Sequence, residues 1–352
     1  MFRQKQGLGH PLICKKAGNP GCLNNAMPFL YQFQDFHPNI AGISALTIVM
    51  KLISVITVNF NQPGVTEDLL RSAFSKNNYP SLEIIVVDNG SIENPIPNWE
   101  KKYPAVQFIR SEKNLGFAGG NNLGIAAAKG AYLFLINNDT EITENLISNL
   151  AATLDKKSNI GIISPKILYY DSNVIQYAGY TPLNYFTARN KCIGQFEKDK
   201  SQYDNIIGET GYAHGAAMMV RREAIEKAGL MAENFFLYYE ELDWCERIRK
   251  KGFEIWVNTN ASIYHKESMT VGKQSALKEY YMNRNRILLV RKHAHKFTYV
   301  LFLMYFLLIA VPITLFRYIK AKQYRFIPVL RKAIWWNFVN RTDSPQLYFP
   351  LS

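Results

Sequence analysis

From Met50 onward the chain alternates between two hydrophobic periods. Residues 52–58 form an unbroken, largely β-branched run, as expected of a strand covered on both faces. The apolar positions of 65–74 then recur at helical spacing. Residues 83–87 read as a second buried strand, 106–110 as a third with edge character, and 132–136 as a fourth. Between and after these, 121–129 is helical and stops at Gly130, a residue suited to a C-cap, and 144–154 is helical again. Strands separated by helices predict an α/β fold with a mainly parallel central sheet. Such sheets bind ligands at the carboxyl ends of their strands. Three polar clusters fall there: Asn59-Phe60-Asn61, Asp88-Asn89-Gly90-Ser91 and Asn137-Asn138-Asp139.

Further along, 160–215 mixes short apolar runs with many Tyr and Asn residues, as in an acceptor-side region of longer loops. Residues 216–220 predict a strand, 222–228 a helix, 240–251 a helix ending at Gly252, and 254–257 a short strand leading to His265. Residues 297–316 carry no formal charge, and twenty such residues are long enough to cross a bilayer core. Lys296 and Arg317 bound this run and Pro312 lies inside it. Residues 1–49 differ from all the rest. They are rich in Pro, Gly and Asn, show no period, and lack the plan of a signal peptide. The change at Met50 reads either as the natural start or as the end of a flexible arm. The organisation expected is an irregular extension (1–49), a catalytic domain (50–292) and a membrane-associated region of C-terminal helices (293–352).

Charge and composition sharpen this picture. A hydrophobic share of 48% over 352 residues is enough for a sizeable core and argues against disorder. The formal charge of +13 favours anionic partners. Lys and Arg crowd into 284–341, around the apolar run, which points to an anionic membrane surface and not to nucleic acid. Cys14, Cys22, Cys192 and Cys245 have neither zinc-site spacing nor the density of a disulfide scaffold, so reduced thiols are expected.

An apolar strand that ends in a carboxylate places it over the crevice. Asp139, flanked by side-chain amides, offers hard oxygen donors suited to Mg2+ or Mn2+, and a metal there would neutralise a diphosphate leaving group. Taken alone, the same tripeptide is an ordinary turn, and Asp139 or Thr143 could cap the following helix. Asp88 could accept a hydrogen bond from a base or a ribose hydroxyl, or simply open an Asx turn. The stretch from Asn114 to Asn121 is glycine-rich and precedes a helix, which lets backbone approach a phosphate or sugar closely. It lacks the dinucleotide-binding spacing, and Asn121 could merely cap the helix. Glu240, Glu241 and Asp243 place three carboxylates within four positions. Crowding raises proton affinity, as a general base requires, and the cluster equally suits an acidic first helical turn. His265 becomes a ligand only if it meets Asp139 in space.

The order of these signals is more specific than any one of them. On Val58-Asn59-Phe60-Asn61, Val86-Val87-Asp88-Asn89-Gly90-Ser91, Asn114-Leu115-Gly116-Phe117-Ala118-Gly119-Gly120-Asn121-Asn122, Leu135-Ile136-Asn137-Asn138-Asp139-Thr140, Tyr239-Glu240-Glu241-Leu242-Asp243-Trp244-Cys245, His265 and Arg284-Asn285, the chain from Met50 to about Arg291 resembles the family 2 inverting glycosyltransferases. The resemblance implies a GT-A-type nucleotide-diphospho-sugar transferase fold. Within it, Thr57, Asn59 and Asp88 would line the nucleotide pocket, with Asp88 facing the base. Asn114, Gly116, Gly120, Asn121 and Asn138 would hold the nucleotide sugar. Asn137 and Asp139 match the family's Asp-x-Asp metal motif, and His265 matches a further metal ligand in some members. Glu241 falls where the family places its base, with Asp243 and then Glu240 as alternatives.

Two positions depart from the pattern. Asn137 replaces the first Asp of the metal motif, leaving one charged ligand. Glu241 replaces the usual Asp and is one methylene longer. The implied reaction is a single displacement in which the base takes a proton from an acceptor hydroxyl and the anomeric configuration inverts. A donor such as dTDP-rhamnose or a UDP-sugar and a lipid-linked glycan acceptor are expected, as in rhamnosyltransferase-like enzymes of surface polysaccharide assembly. The donor is cytoplasmic, so the enzyme is expected at the cytoplasmic face of the cell inner membrane. A true span at 297–316 would export a basic tail against the positive-inside preference. A re-entrant or in-plane segment kinked near Pro312 is expected instead, with Trp335 and Trp336 at the interface. The competing readings are an inactive nucleotide-sugar-binding module, favoured by Asn137, and a nucleotidyltransferase. The latter needs a basic triphosphate-gripping loop, and Asn59-Phe60-Asn61-Gln62-Pro63-Gly64 contains no Lys or Arg.

Overall fold

The computed structural model describes residues 50–266 and 275–347. The expectations placed on 1–49, including Cys14 and Cys22, lie outside the described residues. From Met50 onward the described chain is one compact unit.

The buried runs of the sequence become a ten-stranded sheet; eight strands follow the path 106–111, 82–89, 53–59, 132–136, 217–221, 160–169, 254–265, 140–142, and 175–177 and 207–209 pair beside 160–169 and 254–265. Its first half is wholly parallel: β1 (Ile53–Asn59) pairs with β2 (Leu82–Asn89) and β4 (Tyr132–Ile136), and β2 pairs with β3 (Val106–Ser111). Three helices alternate with these strands: α1 (Pro63–Lys76), α2 (Ile96–Lys102) and α3 (Gly116–Ala127). The second half contains β5 (Thr140–Ile142), β6 (Ile160–Tyr169), β7 (Ile175–Tyr177), β8 (Ile207–Glu209), β9 (Ala217–Arg221) and β10 (Glu254–His265). Here β9 runs antiparallel between β4 and β6, while β6 and β10 are again parallel. The helices α4 (Leu146–Lys156), α5 (Arg222–Ala228) and α6 (Glu240–Arg249) cover this half.

The two-residue period of the strands divides the interior into two cores. Ile53, Val55, Phe134 and Ile136 face α1, α2 and α4, through residues such as Leu69, Trp99 and Leu150. Their neighbours Ile56, Leu133 and Leu135 face α3, α5 and α6, through Ile125, Ile225 and Trp244.

Several elements differ from the sequence expectation. The helix predicted from 121 begins at Gly116, so the glycine-rich stretch is its first turns and not a loop before it. Asn121 is therefore no cap, and its Nδ2 donates to the Phe117 carbonyl four residues back. The strand expected over 254–257 runs on to His265, because its far end finds new partners in β6 and β5.

After α7 (Ala276–His293), residues Lys296–Lys320 form one continuous helical rod. It consists of α8 (Lys296–Tyr305), a π-helical turn (Phe306–Ala310) and α9 (Val311–Lys320). The wider turn comes just before Pro312, whose ring would press on the carbonyl four residues back in a regular α-helix. Then α10 (Phe326–Val339) packs on α7. Trp336, expected at a membrane interface, instead joins the core, with the Arg284 guanidinium 3.7 Å from its ring centroid. Trp335 is the exposed member of the pair. Arg291 donates to the carbonyls of Asn337 and Asn340, fastening α10 further.

Candidate active site

The chain leaves β4 at Ile136 and turns at once. The Asn137 N–H donates to the Ala216 carbonyl (2.9 Å), and the Thr140 hydroxyl donates back to the Asn137 carbonyl (2.7 Å). Strand β5 then pairs antiparallel with the end of β10, setting Thr140 opposite His265. That register brings His265 Nε2 to 3.1 Å from Asp139 Oδ1, with both side chains buried. The two are not aligned for a hydrogen bond, and Asp139 Oδ1 has no hydrogen-bond partner. On the other side of the ring, Nδ1 is 2.8 Å from Gln176 Oε1. With that amide oxygen as acceptor the proton sits on Nδ1, and Nε2 turns a lone pair toward the carboxylate. Two buried lone-pair donors that face each other without a hydrogen bond fit a cation, and a carboxylate oxygen with an imidazole nitrogen suits Mn2+ or Mg2+. Among the described residues no group of three His, Cys, Asp or Glu converges in this way.

Asp139 and His265 open onto a cavity of about 520 Å³, within the range of small-ligand sites. Val58, Phe60 and Asn89 line it from the ends of β1 and β2, and Asn114, Gly116, Phe117 and Asn121 from the glycine-rich stretch. Asn137 and Asn138 stand beside Asp139, and Asn138 Nδ2 donates to the Thr66 hydroxyl (3.0 Å). The far wall is the segment Phe236–Leu237–Tyr238 with Glu240 and Glu241.

That wall is strained. Phe236, Tyr238 and Tyr239 have φ of 63°, 68° and 73°, each costing on the order of 1–3 kcal/mol for a residue other than glycine. It is joined to the glycine-rich stretch where the Phe117 N–H donates to the Phe236 carbonyl (2.7 Å). Gly116 makes the join possible. Its φ is +74°, and a Cβ there would lie 2.3 Å from the Phe236 carbonyl oxygen.

Glu240 and Glu241 open α6. Burial pushes the Glu241 carboxyl up to about 7, against the backbone N–H groups at the helix start, which favour the charged form. Burial, and then the neighbouring Glu241 charge, raise Glu240 further. Burial thus holds both carboxyls above the usual carboxylate range, Glu240 the more strongly.

Five expected site residues are placed elsewhere. Asp243 is fully buried and faces away from the cavity, 2.7 Å from Lys292 Nζ and from His293 Nε2 and 2.8 Å from Arg247 Nε. Burial alone would raise its carboxyl, but the His293 hydrogen bond and the Lys292 and Arg247 charges hold it well below the usual carboxylate range. It is a structural anchor, and the assignment as a base is corrected. Thr57, Asn59 and Asp88 lie beneath the cavity floor instead of lining it. Asp88 accepts from Asn59 Nδ2, the Ser91 hydroxyl and Arg110. Gly120 packs α3 onto β1, where a Cβ would come within 2.8 Å of Val58 Cγ1.

Two cavity residues escaped the sequence reading. Gln176 orients His265. His214 stands beside it, with ring centroids 6.3 Å apart, and burial, then His265, lower its pKa to about 3, so the ring stays neutral. The only signal was the small-residue run Gly215-Ala216-Ala217 after His214, which leaves room around the ring.

A cavity at the carboxyl ends of a mainly parallel α/β sheet is the arrangement of the GT-A transferase fold. Residues 54–229, half of the chain, match Glycosyl transferase family 2, and the chain belongs to that family: it is a glycosyltransferase that takes its sugar from a nucleotide donor. It is 27% identical over 241 residues to the low-salt glycan biosynthesis hexosyltransferase Agl10 of Haloferax volcanii, covering 67% of this chain and 74% of that one. It is 22% identical over 246 residues to the N-acetylglucosaminyl-diphospho-decaprenol L-rhamnosyltransferase of Mycobacterium tuberculosis, covering 64% and 79%. The dTDP-rhamnosyl transferase RfbF of Shigella flexneri is 24% identical over 225 residues, covering 60% and 71%. Among solved structures, the mannosyltransferase PcManGT from Pyrobaculum calidifontis, in complex with GDP-Man and Mn2+, has a TM-score of 0.52 at 15% identity, covering 84% of this chain and 77% of that one. GalNAc-T7 with UDP, GalNAc and Mn2+ has a TM-score of 0.54 at 16% identity; 68% of this chain is covered and just under half, 48%, of that one. These two likenesses establish the fold.

Proposed function

We propose that this glycosyltransferase is an inverting enzyme that moves a sugar from a nucleotide-diphosphate donor, dTDP-rhamnose or a UDP-sugar, to a hydroxyl of a lipid-linked glycan. One observation carries the reading: Glu241, whose carboxyl titrates near neutrality, shares a single cavity with the Asp139–His265 pair. Glu241 accepts the proton of the acceptor hydroxyl as its oxygen attacks the anomeric carbon. Asp139 and His265, with Asn137 beside them, would hold Mn2+ or Mg2+, which supplies positive charge to the departing diphosphate. The rhamnosyl activity in two relatives' names supports the choice of donor, and the decaprenol-linked substrate in one supports the choice of acceptor. Turnover of a panel of dTDP-, UDP- and GDP-sugars, with and without Mn2+, tests the proposal. Metal-stimulated turnover of a dTDP- or UDP-sugar with inverted product is expected; a retained configuration in the product sinks it.

The enzyme works on the cytoplasmic face of the cell inner membrane. One face of the rod Lys296–Lys320 is fastened to the body near both ends. Phe302, Phe306 and Ala310 pack with Ile287 and Val290, and Tyr318 packs with Phe326 and Leu330. The opposite face exposes Phe297, Val300, Leu308, Ile313 and Phe316. A rod held along its length lies across the domain surface, so the exposed stripe enters a membrane in plane, flanked by Lys296, Arg317, Lys320, Lys322 and Arg325. Flotation with vesicles rich in anionic lipid is expected to recover the protein, and added salt to weaken recovery. The triple replacement Phe297→Glu, Leu308→Glu and Phe316→Glu should abolish it while transfer to a water-soluble acceptor survives. Undiminished flotation of the triple variant would exclude this stripe as the membrane contact.

A further inference from the structure

We propose that Asn285 is a positioning residue for catalysis: from α7 it holds the strained wall Phe235–Tyr239 and thereby fixes where α6 begins and where the Glu241 carboxylate stands. The inference rests on Glu241 being the base.

Asn285 is fully buried, and its side-chain amide is wholly engaged. Nδ2 donates to three carbonyls of one segment: Phe235 (2.9 Å), Leu237 (2.8 Å) and Tyr238 (2.8 Å). Oδ1 accepts from Arg284 Nη1 (2.7 Å), which also donates to the Asn234 carbonyl. Four of the five carbonyls from Asn234 to Tyr238 are thus held by two adjacent α7 side chains. The fifth, that of Phe236, accepts from the Phe117 N–H across the cavity. Three residues of this segment and its junction with α6 are left-handed without being glycine, a state that persists only where the surroundings over-determine it. Tyr239 is the last of them and is the cap of α6; its carbonyl accepts the Asp243 N–H. The first two helical residues are Glu240 and Glu241. A shift in the wall therefore becomes a shift in the base.

Other side chains cannot substitute. A carboxylate at 285 would set oxygens against three carbonyl oxygens, and alanine would remove the Nδ2 donor from each of them, leaving Phe235 with the Leu237 N–H. Around Glu241 the titratable groups are Glu240 on its own helix, Cys245 one turn on, Tyr239 at the cap, Tyr180, which feels its charge, and His214 on the cavity wall. Burial holds each in its uncharged form. Of the cations, Arg286 and Arg189 act on Tyr239, and Lys278 lines the cavity. Asp139 and His265 share the cavity, so the acid limb is assigned to Glu241 by its loss in Glu241→Gln.

The test compares wild type, Asn285→Ala and Asn285→Ser, the last keeping one donor, in the full chain with its nucleotide-sugar donor. In the alanine variant kcat should fall at least thirtyfold with donor KM within threefold. Its acid limb should move downward by about one pH unit as the loosened carboxyl gains water; the serine variant should fall between. General destabilisation lowers the melting temperature but leaves the limb of the folded fraction where it was. An unmoved limb with kcat within threefold overturns the proposal, as does loss of folding and donor binding together in both variants. Glu241→Gln run alongside separates the two readings. If that variant keeps transfer, the base assignment fails. If it is inactive while the Asn285 variants behave as wild type, only the positioning role fails.

Discussion

Replacing Glu241 by Gln is expected to reduce transfer by about 10²- to 10⁴-fold while donor affinity stays within about threefold. The replacement is nearly isosteric, and it removes only the capacity to take a proton. A base must be ionised to act, and burial raises the Glu241 pKa to about 7. Wild-type turnover should therefore decline as pH falls through about 7 and level off above it. Glu240 provides the internal contrast. Burial and the neighbouring Glu241 charge raise its carboxyl well above the usual range and favour the neutral form, so Glu240→Gln is the milder exchange. The acid limb should survive in Glu240→Gln, whereas in Glu241→Gln it should vanish along with most of the rate. Rates measured from pH 5 to 9 for the three proteins decide this. Near-wild-type turnover in Glu241→Gln would remove the residue from the chemistry.

The sequence showed the strands and their polar ends because burial on both faces of a parallel sheet leaves an unmistakable β-branched run. It also showed which clusters reach the crevice end. It could not show which way each side chain turns there. Thr57 and Asp88 end the right strands, yet both are shut beneath the cavity floor. Asp88 is there because Arg110, from the neighbouring strand, claims its carboxylate, and that pairing depends on the β2–β3 register. Asp243 failed for a similar reason. Arg247, Lys292 and His293 converge on it, and Lys292 and His293 are distant in sequence. The meeting of Asp139 with His265 was conditional in the sequence and became definite only once β5 paired with an unexpectedly long β10. The apolar rod was legible in length, whereas the packing of Phe302, Phe306 and Tyr318 on the domain required three-dimensional contacts.

Asp139→Ala should separate stability from activity, which Asp243→Ala should not. Asp243 shows the ordinary case: removing it strands Lys292, His293 and Arg247 around a void, and breaking such a buried pair costs about 3–5 kcal/mol. Asp139 Oδ1, by contrast, is buried, faces the His265 Nε2 lone pair and accepts no hydrogen bond. An unsatisfied buried polar atom is a standing cost of about 1–3 kcal/mol, so its deletion should leave the melting temperature unchanged or raise it. The same deletion removes the one carboxylate that faces His265 among the described residues, since position 137 is Asn. Transfer stimulated by Mn2+ is expected to fall by at least about 10²-fold, the scale of losing one electrostatic contact to a transition state. The residual rate should no longer respond to EDTA. The experiment is a thermal melt beside a Mn2+ titration of transfer, both on the same preparation. A variant that melts lower and still gains turnover from Mn2+ would mean that the carboxylate serves the fold, and that the cation, if used, is held elsewhere. A variant at least as stable as wild type but insensitive to metal would mark Asp139 as a residue kept at the expense of stability for its ligand.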